Sequence, residues 1–214
     1  MKALSLHKKL EENSALLIFG ILLVSAIGGL VQVLPSIYQE SLRTPEDGTR
    51  PYSAVELTGR DIYMREGCAT CHSQQIRSLV AEVERYGPYS RAGEFVYDRP
   101  FMWGSKRTGP DLHRIGGKYS DDWHRIHLID PRSVIPASIM PAYPWLAERP
   151  VRTDDIQAKL RGLRTLGHPY ADEDIDNAPA ELEGLTELDA LITYLQMLGT
   201  GFDESAAGEG GNSP

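Results

Sequence analysis

From residue 14 to residue 34 the chain runs for 21 residues without a charged side chain, and Gln32 is its one strongly polar member. At ~1.5 Å per residue, a helix of this length reaches about 32 Å, enough to cross the hydrocarbon of a bilayer. A helix also satisfies its own backbone there, which an open loop or lone strand does not. A cleaved export signal competes with this reading. An apolar core from Leu16 to Val24 and small residues at 26–28 fit such a signal loosely. The apolar run continues past that point into Pro35 and the aromatic Tyr38, so a retained transmembrane helix is expected over residues 14–38. Lys2, Lys8 and Lys9 precede it, and the positive-inside rule puts residues 1–13 in the cytoplasm and the rest of the chain across the membrane. Small residues (Gly20, Ser25, Ala26, Gly28, Gly29) would let a second helix approach closely.

The average composition hides this segment. The 214 residues have a net charge of −8 and a mean hydropathy of −0.32, values of a soluble acidic protein. By position, residues 40–149 balance fifteen basic against fifteen acidic side chains, whereas residues 150–214 hold four basic and thirteen acidic. This balance argues against nucleic acid as a partner, because phosphate binding needs a basic footprint. With only two cysteines, a disulfide-stapled scaffold is excluded as well. Residues 153–187 form an acidic stretch, and residues 201–214 read as a flexible acidic tail.

Both cysteines fall in one pentapeptide, Cys68-Ala69-Thr70-Cys71-His72. This is the attachment pattern of a c-type haem: each thiol adds to a haem vinyl group, and the adjacent histidine ligates the iron. A thioredoxin-like redox pair uses the same spacing but needs a βαβ context that the neighbouring sequence lacks. A structural zinc site would need a second ligand pair. One covalent haem c is therefore expected, with Cys68, Cys71 and His72 holding it.

The surroundings suit that reading. Thr58 and Asp61 form a candidate cap for a helix leading into Cys68, with Gly59 and Tyr63 on one face of it. Leu188, Leu191, Ile192, Leu195 and Leu198 make an apolar stripe at helical spacing, with Tyr194 beside it and Gly199 as a stop. These two helices are expected to cross. For the sixth iron ligand, Met1, Met64 and Met197 are poorly placed, which leaves Met102 and Met140. Met140 is favoured, because Ser138-Ile139-Met140-Pro141-Ala142-Tyr143-Pro144 is a proline-stiffened loop able to hold a thioether. Methionine opposite histidine raises the potential and leaves no open iron position. The turn Thr108-Gly109-Pro110-Asp111-Leu112 offers a carbonyl to orient His72 through its other ring nitrogen. His124 and His127, three apart behind the cap Ser120, read as a solvated or hydrogen-bonded pair, not a metal site. His113 and His168 receive no role.

Taken together the chain resembles the membrane-anchored mono-haem subunit (FixO/CcoO-type, subunit II) of cbb3-type cytochrome c oxidases. The resemblance runs through Arg65-Glu66-Gly67-Cys68-Ala69-Thr70-Cys71-His72-Ser73-Gln74-Gln75-Ile76-Arg77, Glu84-Arg85-Tyr86-Gly87 and Gly93-Glu94-Phe95-Val96-Tyr97-Asp98. It continues in Trp103-Gly104-Ser105-Lys106-Arg107-Thr108-Gly109-Pro110-Asp111-Leu112, Trp123-His124-Arg125-Ile126-His127-Leu128 and Met140-Pro141-Ala142-Tyr143-Pro144-Trp145-Leu146. The pentapeptide alone says c-type cytochrome; the stretches between 73 and 112 carry the family.

The resemblance implies a subunit that relays electrons from a companion di-haem cytochrome c subunit, or a mobile cytochrome, to a haem b/copper catalytic subunit. Oxygen is then reduced on that other subunit, and no catalytic residue is expected here. It implies a bacterial inner membrane with the haem domain in the periplasm, small single-helix subunits as further partners, and residues 103–107 docked on the catalytic subunit. It also suggests a calcium ion at that interface near Ser105, though one hydroxyl or carbonyl makes no calcium site by itself. The expected fold is mainly α: one transmembrane helix, a connector over 39–51, and a cytochrome c domain with long loops over 52–200. A short β-ribbon is expected near 95–97. A tethered electron shuttle is the competing function. The haem c subunit of a nitric oxide reductase shares the anchor and motif but not the stretches between 73 and 112.

Overall fold

The computed structural model describes residues 2–105 and 107–201. The acidic tail expected beyond residue 201 lies outside them, as does Lys106. The chain divides between Thr44 and Pro45 into two units. The first contains α1 (Lys2–Glu12) and α2 (Ser14–Tyr38), followed by a 3-10 turn at Glu40–Leu42. Asn13 separates the two helices: its backbone is extended, and its side chain accepts the Leu16 N–H at 3.1 Å. Such a cap is worth about 1 kcal/mol. No residue of α2 is buried, and the helix is long and apolar enough to cross a membrane. Its bounds coincide with the expected segment.

The second unit is helical. It comprises α3 (Ala54–Arg65), α4 (Val80–Tyr86), α5 (Asp121–Ile129), α6 (Pro131–Val134), α7 (Ile156–Thr165), α8 (Asp172–Leu182) and α9 (Glu187–Met197), with loops and 3-10 turns between them. Among the described residues no strand forms, and Pro150 and Thr186 make an isolated bridge. The β-ribbon expected near 95–97 is absent. Residues Ala92–Phe95 form a 3-10 turn instead, with Glu94 N–H bonded to Arg91 O at 3.2 Å and Asp98 N–H to Phe95 O at 2.8 Å. Phe95 turns inward edge-on to Trp103, with ring centroids 5.2 Å apart, so local turns satisfy the backbone that a ladder would have used.

The cap of α3 also differs from expectation. Ser53 and Glu56 form a reciprocal capping box, with Ser53 N–H donating to Glu56 Oε2 at 2.8 Å. Thr58 lies inside the helix and donates to Ala54 O at 2.8 Å, while Asp61 pairs with Lys159 at 2.9 Å. The earlier Ser53 signal wins because both halves of its box close.

α3 packs across α9 as the apolar patterns required. Gly59 lies at the crossing: a Cβ there would sit 2.0 Å from Ala190 O and 2.7 Å from Tyr194 Cβ. Tyr63 and Tyr194 are buried beside it, with ring centroids 5.6 Å apart. The stripe from Leu188 to Leu198 is buried throughout, each large side chain contributing roughly 1.5–3 kcal/mol. Gly199 ends it with φ +76, a conformation glycine adopts without strain.

The acidic stretch over 153–187 is folded. It forms α7 and α8, which pack on each other and on α3 through buried Ile156, Leu160, Ile175, Ala178 and Leu182. Its carboxylates stay outside except Glu187, which is buried and paired with Arg65, and Asp172, Glu173 and Asp174 occupy the first turn of α8, where the helix dipole favours them.

Candidate haem site

Gly67, at φ +75, ends α3 and turns the chain into the 3-10 turn Cys68–Thr70. Cys71 and His72 N–H groups both donate back to Cys68 O, at 3.2 and 2.9 Å, so the pentapeptide is one compact turn. Both cysteines are half-buried and free of disulfide. Burial, with Glu66 nearby, pushes the Cys68 thiol up to about 11. A redox CxxC needs the opposite shift. Among the described residues no group of three or more His, Cys, Asp or Glu could hold a metal ion.

The 108–112 turn and Tyr63 of α3 hold His72 and its two neighbours. His72 Nδ1 lies 2.8 Å from Pro110 O, and since a carbonyl only accepts, Nδ1 carries the proton. Nε2 then keeps its lone pair, and among the described residues it makes no hydrogen bond. Gly109 N–H donates to Cys71 O at 3.0 Å and Leu112 N–H to Ser73 O at 2.9 Å, strapping the 108–112 turn to the pentapeptide. The Tyr63 hydroxyl donates to His72 O at 3.0 Å. Burial lowers the His72 pKa, keeping the imidazole neutral. An oriented, neutral imidazole with one free lone pair, beside two cysteines free of disulfide, fits the donor set of a c-type haem.

The loop carrying Met140 brings Tyr143 near this turn. Met140 is half-buried and packs on the core, its N–H donating to Ser138 Oγ at 3.2 Å. Tyr143 N–H donates to Leu128 O at 2.9 Å, tying the loop to α5. Burial and the nearby Cys68 and Cys71 raise the Tyr143 hydroxyl pKa, so the loop's tyrosine sits beside the cysteines. Met102 is 6% exposed within the core, and its carbonyl accepts Gln74 N–H at 3.0 Å. Met64 faces Arg60, with Sδ 3.8 Å from the guanidinium.

Several functional neighbours were not readable from sequence. Gln74 is fully buried and bonds the Tyr194 hydroxyl at 2.9 Å, joining the segment after the pentapeptide to α9. His113, assigned no role, is buried in a cluster with Glu94, Arg114 and Ser90. Burial works to raise the Glu94 carboxyl, but hydrogen bonds from His113 and Arg114 outweigh it and hold it at about 2. His124 and His127 are not the solvated or hydrogen-bonded pair expected. His124 is 3% exposed, and among the described residues neither its Nε2 nor His127 Nδ1 has a hydrogen-bond partner. Aromatic packing holds them instead, with Trp123 stacked on His127 and edge-on to His124.

Within 103–107, Arg107 turns inward to Glu82 at 2.7 Å and Gln75 O at 2.5 Å, while Ser105 is exposed. A cavity of about 310 Å³ lies elsewhere; its lining includes Tyr52, Asp98, His113 and Gly199 and none of Cys68, Cys71, His72 or Met140.

Comparison with curated proteins gives no match. The chain does match a family described as cytochrome c oxidase, mono-heme subunit/FixO, over residues 7–184. The matched range includes most of the acidic stretch. An oriented histidine behind a paired-cysteine turn, an apolar N-terminal helix and this match over most of the length agree: the chain belongs to the FixO family of mono-haem cytochrome c oxidase subunits.

Proposed function

We propose that the chain is the electron-relay subunit of a cbb3-type oxidase, carrying one covalent haem c. Cys68 and Cys71 would hold the haem as thioethers, and His72 and Met140 would ligate its iron. The bound haem supplies a one-electron couple. The chain's own residues orient and shield it: Pro110 fixes the His72 tautomer, Gly109 lets the 108–112 turn close on the ring, and Tyr143 ties the Met140 loop to α5. α2 anchors the subunit in a bacterial inner membrane with residues 1–13 in the cytoplasm and the haem domain, about residues 52–200, in the periplasm. Electrons would arrive from a di-haem cytochrome c subunit or a mobile cytochrome and leave to a haem b/copper subunit, where oxygen is reduced.

The observation that carries this reading is the clamp on His72, because an imidazole fixed through Nδ1 and left open at Nε2 is built to ligate. Cys71→Ala tests the attachment: covalent haem staining on a denaturing gel should be lost, and normal staining refutes the assignment. Purification in mild detergent tests the assembly. Haem b bands and copper should accompany the chain; isolation of the chain alone, with reversible salt-sensitive docking, would make it a tethered shuttle instead.

A further inference from the structure

We propose that the stacked rings of Tyr119, Trp123 and His127 form the path by which an electron passes from a docked donor to the haem site. The inference rests on the haem reading above and concerns how electrons reach that site.

The column is built from α5 and the residue before its cap. Ser120 Oγ accepts Trp123 N–H at 3.2 Å and starts the helix. Trp123 and His127, four residues apart, then share a face, with ring centroids 4.5 Å apart and planes within 12°. Tyr119 folds back over the cap onto Trp123, with centroids 4.0 Å apart and planes within 15°. The turn beneath it is fastened to α9: Gln196 Nε2 donates to Tyr119 O at 2.8 Å and to Asp121 Oδ1 at 2.7 Å, while Gly117 N–H donates to Gln196 Oε1 at 2.9 Å.

The two ends differ. The outer ring, Tyr119, is 38% exposed, Trp123 is half-buried, and His127 Nδ1 is buried. The inner end meets the haem site. The carbonyl of Leu128, next to His127, accepts Tyr143 N–H from the Met140 loop at 2.9 Å. Packing contributes to any such stack, and so it does not by itself require an exposed outer ring. This column instead brings its closest ring contact to the surface.

Electron tunnelling falls off exponentially with the gap between centres and is faster through atoms in contact than across open space. Parallel rings in van der Waals contact give such a medium without themselves being oxidised. One electron leaves a reduced c-type cytochrome, which is oxidised, and reduces the haem of this chain; no bond forms or breaks and no proton moves. Exposed Asp121 and Asp122 outnumber Lys118 beside Tyr119, so the rim suits a donor with a basic surface around its haem edge.

The test uses the full chain in its complex, with reduced mitochondrial cytochrome c as a basic donor. Tyr119→Ala should lower the limiting rate of haem c reduction several-fold, with haem staining, spectrum and midpoint potential unchanged. Tyr119→Phe, which keeps the stack, should retain the rate. A wild-type rate in both Tyr119→Ala and Trp123→Leu overturns the proposal. So does a slower rate accompanied by a shifted potential, or a slowing confined to re-oxidation by the catalytic subunit. Absence of covalent haem from the unsubstituted chain would instead refute the haem reading itself.

Discussion

Gly109 lies so close to His72 that a Cβ at this position would sit 2.2 Å from the imidazole Cε1 and 2.7 Å from Nδ1. The glycine is a spacer: its missing side chain lets the Pro110 carbonyl reach Nδ1 while its own N–H holds Cys71 O. Ring orientation therefore depends on a residue 37 positions away in sequence.

Gly109→Ala should break that arrangement. The methyl group must displace either the ring or the turn, at a cost of about 1–3 kcal/mol in stability. Haem should remain attached through Cys68 and Cys71, but the visible spectrum should change from low-spin to high-spin as His72 ligation weakens. An unaltered spectrum would mean that the ring does not bind iron in the orientation described.

On the proposed ligation, Met140→Leu should leave haem attached, lower its reduction potential and admit carbon monoxide to the iron, since it removes the proposed thioether ligand. The checks are a redox titration and a carbon monoxide difference spectrum. If both match the unsubstituted protein, the ligand moves to Met102, despite that residue's burial in the core.

Acid should weaken the domain through Glu94. Its carboxyl is held near 2 in the folded chain against an ordinary 4.5, so the unfolded chain takes up the proton first as pH falls. The stabilisation is complete above 4.5 and is lost progressively towards about 2. Glu94→Gln should cost about 3 kcal/mol near neutrality, the scale of a broken buried ion pair. In thermal melts the gap between the unsubstituted chain and E94Q should narrow as pH drops through that window. A gap independent of pH would assign Glu94 a packing role alone.

What could be read in advance was whatever local pattern determines by itself. The run over 14–38 lacks charge, the pentapeptide carries both cysteines, and the stripe from Leu188 to Leu198 repeats at helical spacing; each of these needs no knowledge of distant residues. The Thr108–Leu112 turn was legible too, because proline and glycine constrain it. The capping of α3 was misread because two signals, Ser53 with Glu56 and Thr58 with Asp61, compete at nearly the same place. Only the first pair closes, while Lys159 from α7 draws Asp61 away. The ribbon near 95–97 failed for a similar reason: Phe95 is drawn towards Trp103 and Glu94 towards Arg114 and His113.

The sequence alone thus determined the anchor, the attachment turn, the helical class and the crossing of α3 with α9, since periodicity and backbone restriction act within a few residues. Tertiary structure alone decided the tautomer of His72, the inward burial of His113 and Glu94, the folding of the acidic stretch into α7 and α8, and the bond between Gln74 and Tyr194. Each of those depends on groups brought together across tens of residues, where burial and unpaired polar atoms make one partner far better than the rest.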